Sequence, residues 1–132
     1  MTTESLIEEE TSDTITVSTV VSQPVKTVWS ALLTPAGQAA LLGAGARLGD
    51  KGDSWQAEDG SCGVTRSFHP LQGVRFSWRQ TEGAPRTMVT LNLRPDGDST
   101  MIEIVHNHAE ADLDVAKLTA HWRGVLDFLG QV

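Results

Sequence analysis

The sequence predicts an α+β domain in which one antiparallel sheet is covered by helices that are segregated from most of the strands. Three patterns predict it: an alternating strand near the start, six short strand segments after Gly45, and one long amphipathic segment at the end. Short turns between consecutive strands indicate antiparallel hairpins. The separation of the helices from most of the strands is typical of α+β folds. Only the terminal segment is long enough to cover most of the sheet's apolar face, so we expect the sheet to wrap round it.

Length and charge limit the classes of protein that fit. A chain of 132 residues allows one domain, which we expect over residues 14–132, after a flexible acidic tail over residues 1–13. A net charge of −7 disfavours a nucleic-acid partner. No apolar run reaches the roughly 20 residues that span a bilayer. The single cysteine, Cys62, excludes an intramolecular disulfide, and we expect a cytoplasmic protein.

The first strand and the two short helices have local signals. The run Thr14–Val21 alternates apolar and hydroxyl residues and is rich in β-branched side chains, as in a half-buried strand. Ser22 and Pro24 precede apolar residues at helical spacing, from Val25 to Leu33. Thr34-Pro35 repeats this start signal, so a second short helix is predicted over Ala36–Leu42, ended by the Gly43-Ala44-Gly45 cluster.

The six later strands are bounded by glycine, proline and aspartate. They are predicted over Ala46–Gly49, Ser54–Glu58, Cys62–Phe68, Val74–Gln80, Arg86–Arg94 and Thr100–Asn107. Alternation assigns Val74, Phe76 and Trp78 to one dry face. In the last strand His106 continues the row of Ile102 and Ile104, whereas His69 and His108 are expected at the surface.

The closing segment, Asp112–Leu129, is predicted to be one helix. It opens with acidic residues, which suit a helix N-terminus. Its apolar stripe includes Leu118, Trp122, Val125, Leu126 and Leu129, and His121 lies within that stripe. A sheet that curls about one helix is expected to leave a concave, mostly apolar pocket at its unfilled end.

Several stretches in this order resemble a known family. They are Val21–Leu32, Gly52–Trp55, Glu58–Gly60, Val74–Trp78, Thr87–Leu91, His106, and a final helix with Trp122, Leu126 and Leu129. Together they are similar to the activator-of-Hsp90-ATPase-like branch of the START/Bet v 1 (SRPBCC) superfamily, a branch linked with the stress response. The resemblance implies the helix-grip fold: a seven-stranded antiparallel sheet around a long C-terminal helix, two short helices after the first strand, and a hydrophobic cavity between helix and sheet.

The leading hypothesis is a binder of a small apolar molecule, lipid-like or aromatic, with one polar group. The expected cavity lining is Trp55, Arg66, Phe76, Trp78, Leu91, Ile104, His106, Leu118, His121 and Trp122. Arg66 shares its predicted face with Val64 and Phe68, so it could anchor an anionic head group, although a bulge would turn it outward. The tryptophans could stack on a ligand or only pack the core.

Catalytic and cofactor signals are sparse. No nucleophile elbow, phosphate-binding loop, contrasted carboxylate pair or metal-ligand spacing occurs, so no catalytic residue, cofactor or metal is assigned. His106 and His121 are the one plausible catalytic or ligand-orienting pair, and the alternative is that both are hydrogen-bonded core histidines. Two other functions stay open: a chaperone-accessory module, and a cyclase or hydrolase that uses one of these histidines as general base.

Overall fold

Seven antiparallel strands form one sheet in the computed structural model, which describes residues 7–10, 14–108 and 113–131. The strands are β1 (Ile7–Glu10), β2 (Thr14–Val21), β3 (Ser54–Gln56), β4 (Cys62–His69), β5 (Gly73–Trp78), β6 (Thr87–Asp96) and β7 (Ser99–Asn107). Their spatial order is β1-β2-β7-β6-β5-β4-β3. The strands from β3 to β7 therefore pair in sequence order, and β7 then returns to pair with β2, which lies far from it along the chain.

The seven strands are not the seven that the sequence predicts. Six predicted strands form, but Ala46–Gly49 does not. Its backbone groups are satisfied elsewhere: the amide of Leu48 donates to Oε1 of Gln38 at 2.7 Å, and the amide of Ala46 donates to the carbonyl of Gly43. The seventh strand is β1, which pairs with β2 as an edge strand. It lies within the stretch predicted as a tail, whose other residues fall outside the described ranges.

Three helices are present: α1 (Val25–Leu32), α2 (Pro35–Leu42) and α3 (Val115–Gly130). The predicted start of α2 is confirmed, because Oγ1 of Thr34 accepts a hydrogen bond from the amide of Gly37. The N-cap of α1 is Pro24, with no side-chain hydrogen bond, so Ser22 does not cap it. Asp114 caps α3 through the amide of Lys117. None of the helices in the described ranges is long and apolar enough to cross a membrane.

The core lies between the sheet and the helices. Helix α3 packs against β2, α1 and α2. The predicted inward rows are confirmed, because Phe76, Leu91 and Ile104 are fully buried, as are Ile102 and His106. From α3, the apolar stripe buries Trp122, Val125, Leu126 and Leu129. The long helix therefore covers the dry face of the sheet, as the sequence predicts.

Candidate functional site

The deepest part of the predicted cavity is filled by protein. Five of the ten predicted lining residues are 0% exposed: Phe76, Leu91, Ile104, His106 and Trp122. A cavity that held water or ligand would leave some of their surface accessible. These side chains therefore pack against one another, and the expectation that they line a ligand cavity is corrected. The physical reason is size, since the indole of Trp122 projects from α3 into the space that a smaller residue would leave open.

His106 is a hydrogen-bonded core residue. The indole Nε1 of Trp122 donates to its Nδ1 at 3.2 Å, and its Nε2 lies 2.8 Å from Oγ1 of Thr87. An indole nitrogen can only donate, so Nδ1 is the acceptor and the proton of the neutral ring resides on Nε2. Nε2 then donates to Thr87, whose hydroxyl donates to the carbonyl of Trp78 at 2.8 Å. Every polar atom of the ring is satisfied.

Burial also keeps His106 uncharged. Its pKa is lowered from 6.5 to about 3, mainly because burial desolvates the charged ring and also because His108 and His121 lie nearby. A ring that stays neutral near pH 7 and has both nitrogens engaged cannot take a proton from a substrate. Of the predicted pair, His106 is therefore the core residue, not a general base.

Aromatic rings surround His106. Its ring centroid lies 5.3 Å from that of Trp78, 5.6 Å from Trp122 and 6.0 Å from His108, all edge to face. His108 is only 4% exposed, so its expected surface position is wrong. The alternation that turns His106 inward continues for one residue beyond the end of β7 and buries His108 as well. Neither ring nitrogen of His108 has a hydrogen-bond partner among the described residues.

An open pocket lies beside this filled region and has a volume of about 530 Å³. It is formed by α2, the turn at residues 59–61, the end of β5, and the start of α3. Three predicted residues line it: Trp78, Leu118 and His121. Each is half-buried. The space for a ligand is therefore displaced from the helix–sheet interior to the mouth between α2 and α3.

His121 is held in place at the wall of this pocket, which we call the mouth pocket. Its Nε2 lies 3.0 Å from the carbonyl oxygen of Leu41, so Nε2 carries the proton and donates. That carbonyl belongs to the last turn of α2, where helices leave acceptors unpaired. The ring also lies edge-on to Trp122, with centroids 4.5 Å apart. The other ring nitrogen, Nδ1, is left as an acceptor.

The mouth pocket also contains polar residues that the sequence reasoning missed. Oδ1 of Asp59 accepts hydrogen bonds from the amide and the hydroxyl of Ser61, at 2.9 and 2.6 Å. These bonds are the main reason that the pKa of Asp59 lies below its usual value, and the nearby His121 lowers it further. Asp59-Gly60 has the sequence of a hairpin turn, and only the approach of α2 and α3 makes it a pocket wall.

Small residues of α2 complete the mouth pocket. Ala39, Ala40 and Leu42 line it, together with Gly43. They were assigned to a helix but not to a site, because an alanine in a helix carries no signal of a binding role. Their short side chains are what leaves the space open.

The remaining two predicted residues lie elsewhere. Trp55 is buried against Phe76, with ring centroids 6.0 Å apart. Arg66 is exposed, so it does not line the predicted cavity, and the alternative orientation, turned outward by a bulge, is the one present. Thr65 pairs with Phe76 and Ser67 pairs with Arg75, so one extra residue is inserted between them as a bulge. The bulge shifts the alternation, so that Thr65 faces the core and Arg66 faces away from it.

Metal-ligating groups do not converge in the part of the chain that the structure describes. No three side chains of His, Cys, Asp or Glu there are placed to hold a metal ion. Cys62, which could supply a thiolate ligand, is half-buried and free.

Comparison with solved structures finds close likenesses in fold. CalU16 from Micromonospora echinospora superposes with a TM-score of 0.75 at 24% identity, over 96% of this chain and 82% of that one. DynU16, a protein of the dynemicin biosynthetic locus, gives 0.75 at 23% identity, over 92% of this chain and 47% of that one. CV1439 from Chromobacterium violaceum gives 0.72 at 20% identity, over 92% and 96%.

Sequence comparison adds nothing to these likenesses: no family model and no curated protein matches the chain. Structural similarity at these identities shows the fold. In this chain two short helices follow the strand β2, and a long C-terminal helix packs on the antiparallel sheet. A TM-score of 0.75 over 96% of the chain shows that CalU16 has a similar fold. The chain therefore has the helix-grip fold.

Proposed function

We propose that this protein binds a small molecule with an apolar, aromatic or lipid-like body and one polar group, in the mouth pocket. The observation that carries the proposal is the convergence of Trp78, Leu118 and His121 on one open volume of about 530 Å³. Pockets that hold small ligands usually measure about 300–1,000 Å³, with mostly apolar walls and a few placed polar groups.

The walls suit a flat apolar body. Trp78 is half-buried and is fixed edge-on to His106, so its ring is rigid before any ligand arrives. The alanines of α2 and Leu118 supply further apolar surface. A preformed wall reduces the conformational entropy that is lost when the ligand binds. Because the pocket has a volume of about 530 Å³ and the side chains of the helix–sheet interior are fully packed, the ligand is expected to be compact, of about one or two fused rings.

The polar group of the ligand is expected to be a donor. His121 has committed its Nε2 proton to Leu41, and so presents an acceptor. Two carboxylates, Asp59 and Asp114, line the mouth pocket against one lysine, Lys117. The local charge therefore favours a neutral or cationic ligand over an anion. A hydroxyl or amine on an aromatic body fits this chemistry.

A matched series of ligands tests the proposal. We expect 2-naphthol, titrated into the ¹⁵N-labelled protein, to shift the amide signals of α2 and of the first turns of α3, together with the indole signal of Trp78. 2-Naphthoate, the same body with a negative group, should bind more weakly. Shifts confined to other surfaces, or a stronger response to the anion, would contradict the proposal.

Two variants of α2 locate the site. Ala39→Phe places a ring in the mouth pocket and should abolish the response to 2-naphthol. Ala36→Phe adds the same ring to an exposed position of the same helix that does not line the pocket, and should leave the response intact. Equal effects of the two variants would show that the ligand binds elsewhere.

The other predictions rest on the sequence alone. Membership of the activator-of-Hsp90-ATPase-like branch, a chaperone partner and a cytoplasmic location stay predictions. An enzymatic role would fall to His121, since His106 is locked in the core. Substitution His121→Gln, with turnover of a candidate substrate as the readout, distinguishes a general base from a ligand-orienting residue.

A further inference from the structure

A second pocket, of about 570 Å³, lies on the opposite face of the sheet. It is formed by β3, β4, the end of β5 and the loop that joins β5 to β6. Ser77 and Arg79 line it, and they alternate along the chain with Phe76 and Trp78, whose rings face the core. This outer pocket is therefore separated from the mouth pocket by the sheet, and what it binds does not depend on the function proposed above.

Three arginines converge on the outer pocket. Arg66, Arg79 and Arg86 line it, with Glu82 as the one carboxylate there. The whole chain has only ten lysines and arginines and a net charge of −7. No side-chain hydrogen bond or ion pair links any of these three arginines to another described residue. Three positive side chains around one pocket with a single carboxylate leave an excess of positive charge there, and a bound anion would neutralise it.

The local backbone turns one of these arginines toward the outer pocket. The bulge between Thr65 and Ser67 inserts an extra residue into β4, and without it Arg66 would continue an inward alternation. Bulges commonly redirect a side chain beside a functional site. Here the bulge places Arg66 on the same face as Arg79.

One of the residues that line the outer pocket has an unsatisfied donor. Trp55 lines the pocket and is 4% exposed, and its indole Nε1 has no hydrogen-bond partner among the described residues. It lies beside Gly63, which also lines the pocket and whose lack of a side chain allows this approach. A buried N–H group without an acceptor costs free energy, which an acceptor oxygen in the pocket would recover.

We propose that the outer pocket is a binding site for a small organic oxyanion, of the phosphate-ester or polycarboxylate class. The guanidinium groups of Arg66, Arg79 and Arg86 bind the anionic oxygens through paired N–H donors. The half-buried surface of Cys62 and Val64 packs against the organic part. The charge of this site is opposite in sign to that of the mouth pocket, where two carboxylates lie with one lysine.

Pyrophosphate is the first probe, with binding followed by calorimetry and by the side-chain Nε–H signals of the arginines. Arg66→Gln and Arg86→Gln should each weaken binding about tenfold, as expected for the loss of a charge-assisted hydrogen bond. Glu82→Gln should strengthen it, because a like charge is removed. Arg75→Gln is the matched control, since Arg75 is exposed on the same strand as Ser77 but lies outside the pocket, and it should change affinity less than twofold.

Glycerol phosphate represents the phosphate esters, and citrate represents the polycarboxylates. The probe that binds more tightly identifies the class of the natural ligand. Cys62 gives an independent readout: bound anion should slow its alkylation by neutral iodoacetamide in the parent protein but not in the Arg66→Gln variant. The proposal is overturned if pyrophosphate causes no shift of the arginine signals. It is also overturned if Arg75→Gln weakens binding as much as Arg66→Gln, because the attraction would then be diffuse.

Discussion

The indole Nε1 of Trp122 donates a hydrogen bond to Nδ1 of His106, and this 3.2 Å contact joins the long helix α3 to the interior strand β7. It fixes the tautomer of His106 and directs its other nitrogen to Thr87. A row of three polar groups thus crosses the core with each donor matched to an acceptor. The same contact fills the space in which the sequence predicted a cavity.

Removal of the Thr87 hydroxyl should destabilise the protein. Thr87→Val keeps the shape of the side chain but leaves the Nε2 proton of His106 and the carbonyl of Trp78 without their partner. We expect a loss of about 1–3 kcal/mol in the free energy of unfolding, measured by urea denaturation. Thr90→Val, on the opposite face of the same strand, is the control and should change it by less than about 0.5 kcal/mol. Equal losses in the two variants would contradict the buried hydrogen-bond network.

Stability should fall in acid because of His106. Its pKa is 6.5 in the unfolded chain and about 3 in the folded protein, so between these values the unfolded chain binds more protons. The free energy of unfolding therefore rises with pH in this window, by at most about 1.4 kcal/mol per pH unit from this group. The contribution is complete above pH 6.5 and is lost as the pH falls toward 3.

The His106→Gln variant isolates this effect. Its free energy of unfolding is expected to be lower near pH 7, because packing is lost, but its dependence on pH between 6 and 4 should be shallower than in the parent protein. Urea denaturation at a series of pH values measures both slopes. Identical slopes would mean that other groups account for the acid sensitivity.

His121 should contribute more to the binding of a ligand's polar group than to the binding of its apolar body. His121→Phe keeps the ring but removes the acceptor nitrogen, so the affinity for 2-naphthol is expected to fall about tenfold, whereas naphthalene should bind almost as before. The variant also leaves the carbonyl of Leu41 without its donor, which should cost about 1 kcal/mol of stability. A parallel loss of both ligands would indicate that the wall of the pocket has collapsed.

Two glycines should respond to alanine in opposite directions. A Cβ at Gly124, in the middle of α3, would meet nothing within 4 Å, so Gly124→Ala should stabilise the helix by about 0.5–1 kcal/mol. A Cβ at Gly63 would overlap the carbonyl oxygen of Ser77, so Gly63→Ala must push β4 away from β5 and should destabilise the protein. Thermal unfolding measures both. A stable Gly63→Ala protein would show that these strands lie further apart.

The sequence alone determined the class of fold and the rows of residues that face the core. Alternation along a strand and the helical spacing of Leu118, Trp122 and Leu129 are local periodicities, and burial follows them because only one face of each element leaves water. The N-cap of α2 at Thr34 could also be predicted, since it depends on residues three positions apart. The prediction of a strand at Ala46–Gly49 was wrong, because the amides of Ala46 and Leu48 donate to Gly43 and to the side chain of Gln38 rather than to a neighbouring strand.

The positions of the two pockets and the residues that line them depend on how the helices and strands pack together. Whether the interior beneath α3 is open depends on how far Trp122 reaches toward β7, and whether Arg66 faces inward depends on one inserted residue in β4. The mouth pocket joins Asp59, His121 and the alanines of α2, and the outer pocket joins three arginines from separate segments. Such sites arise from distances between elements that are remote along the chain, and no periodicity within one element encodes those distances.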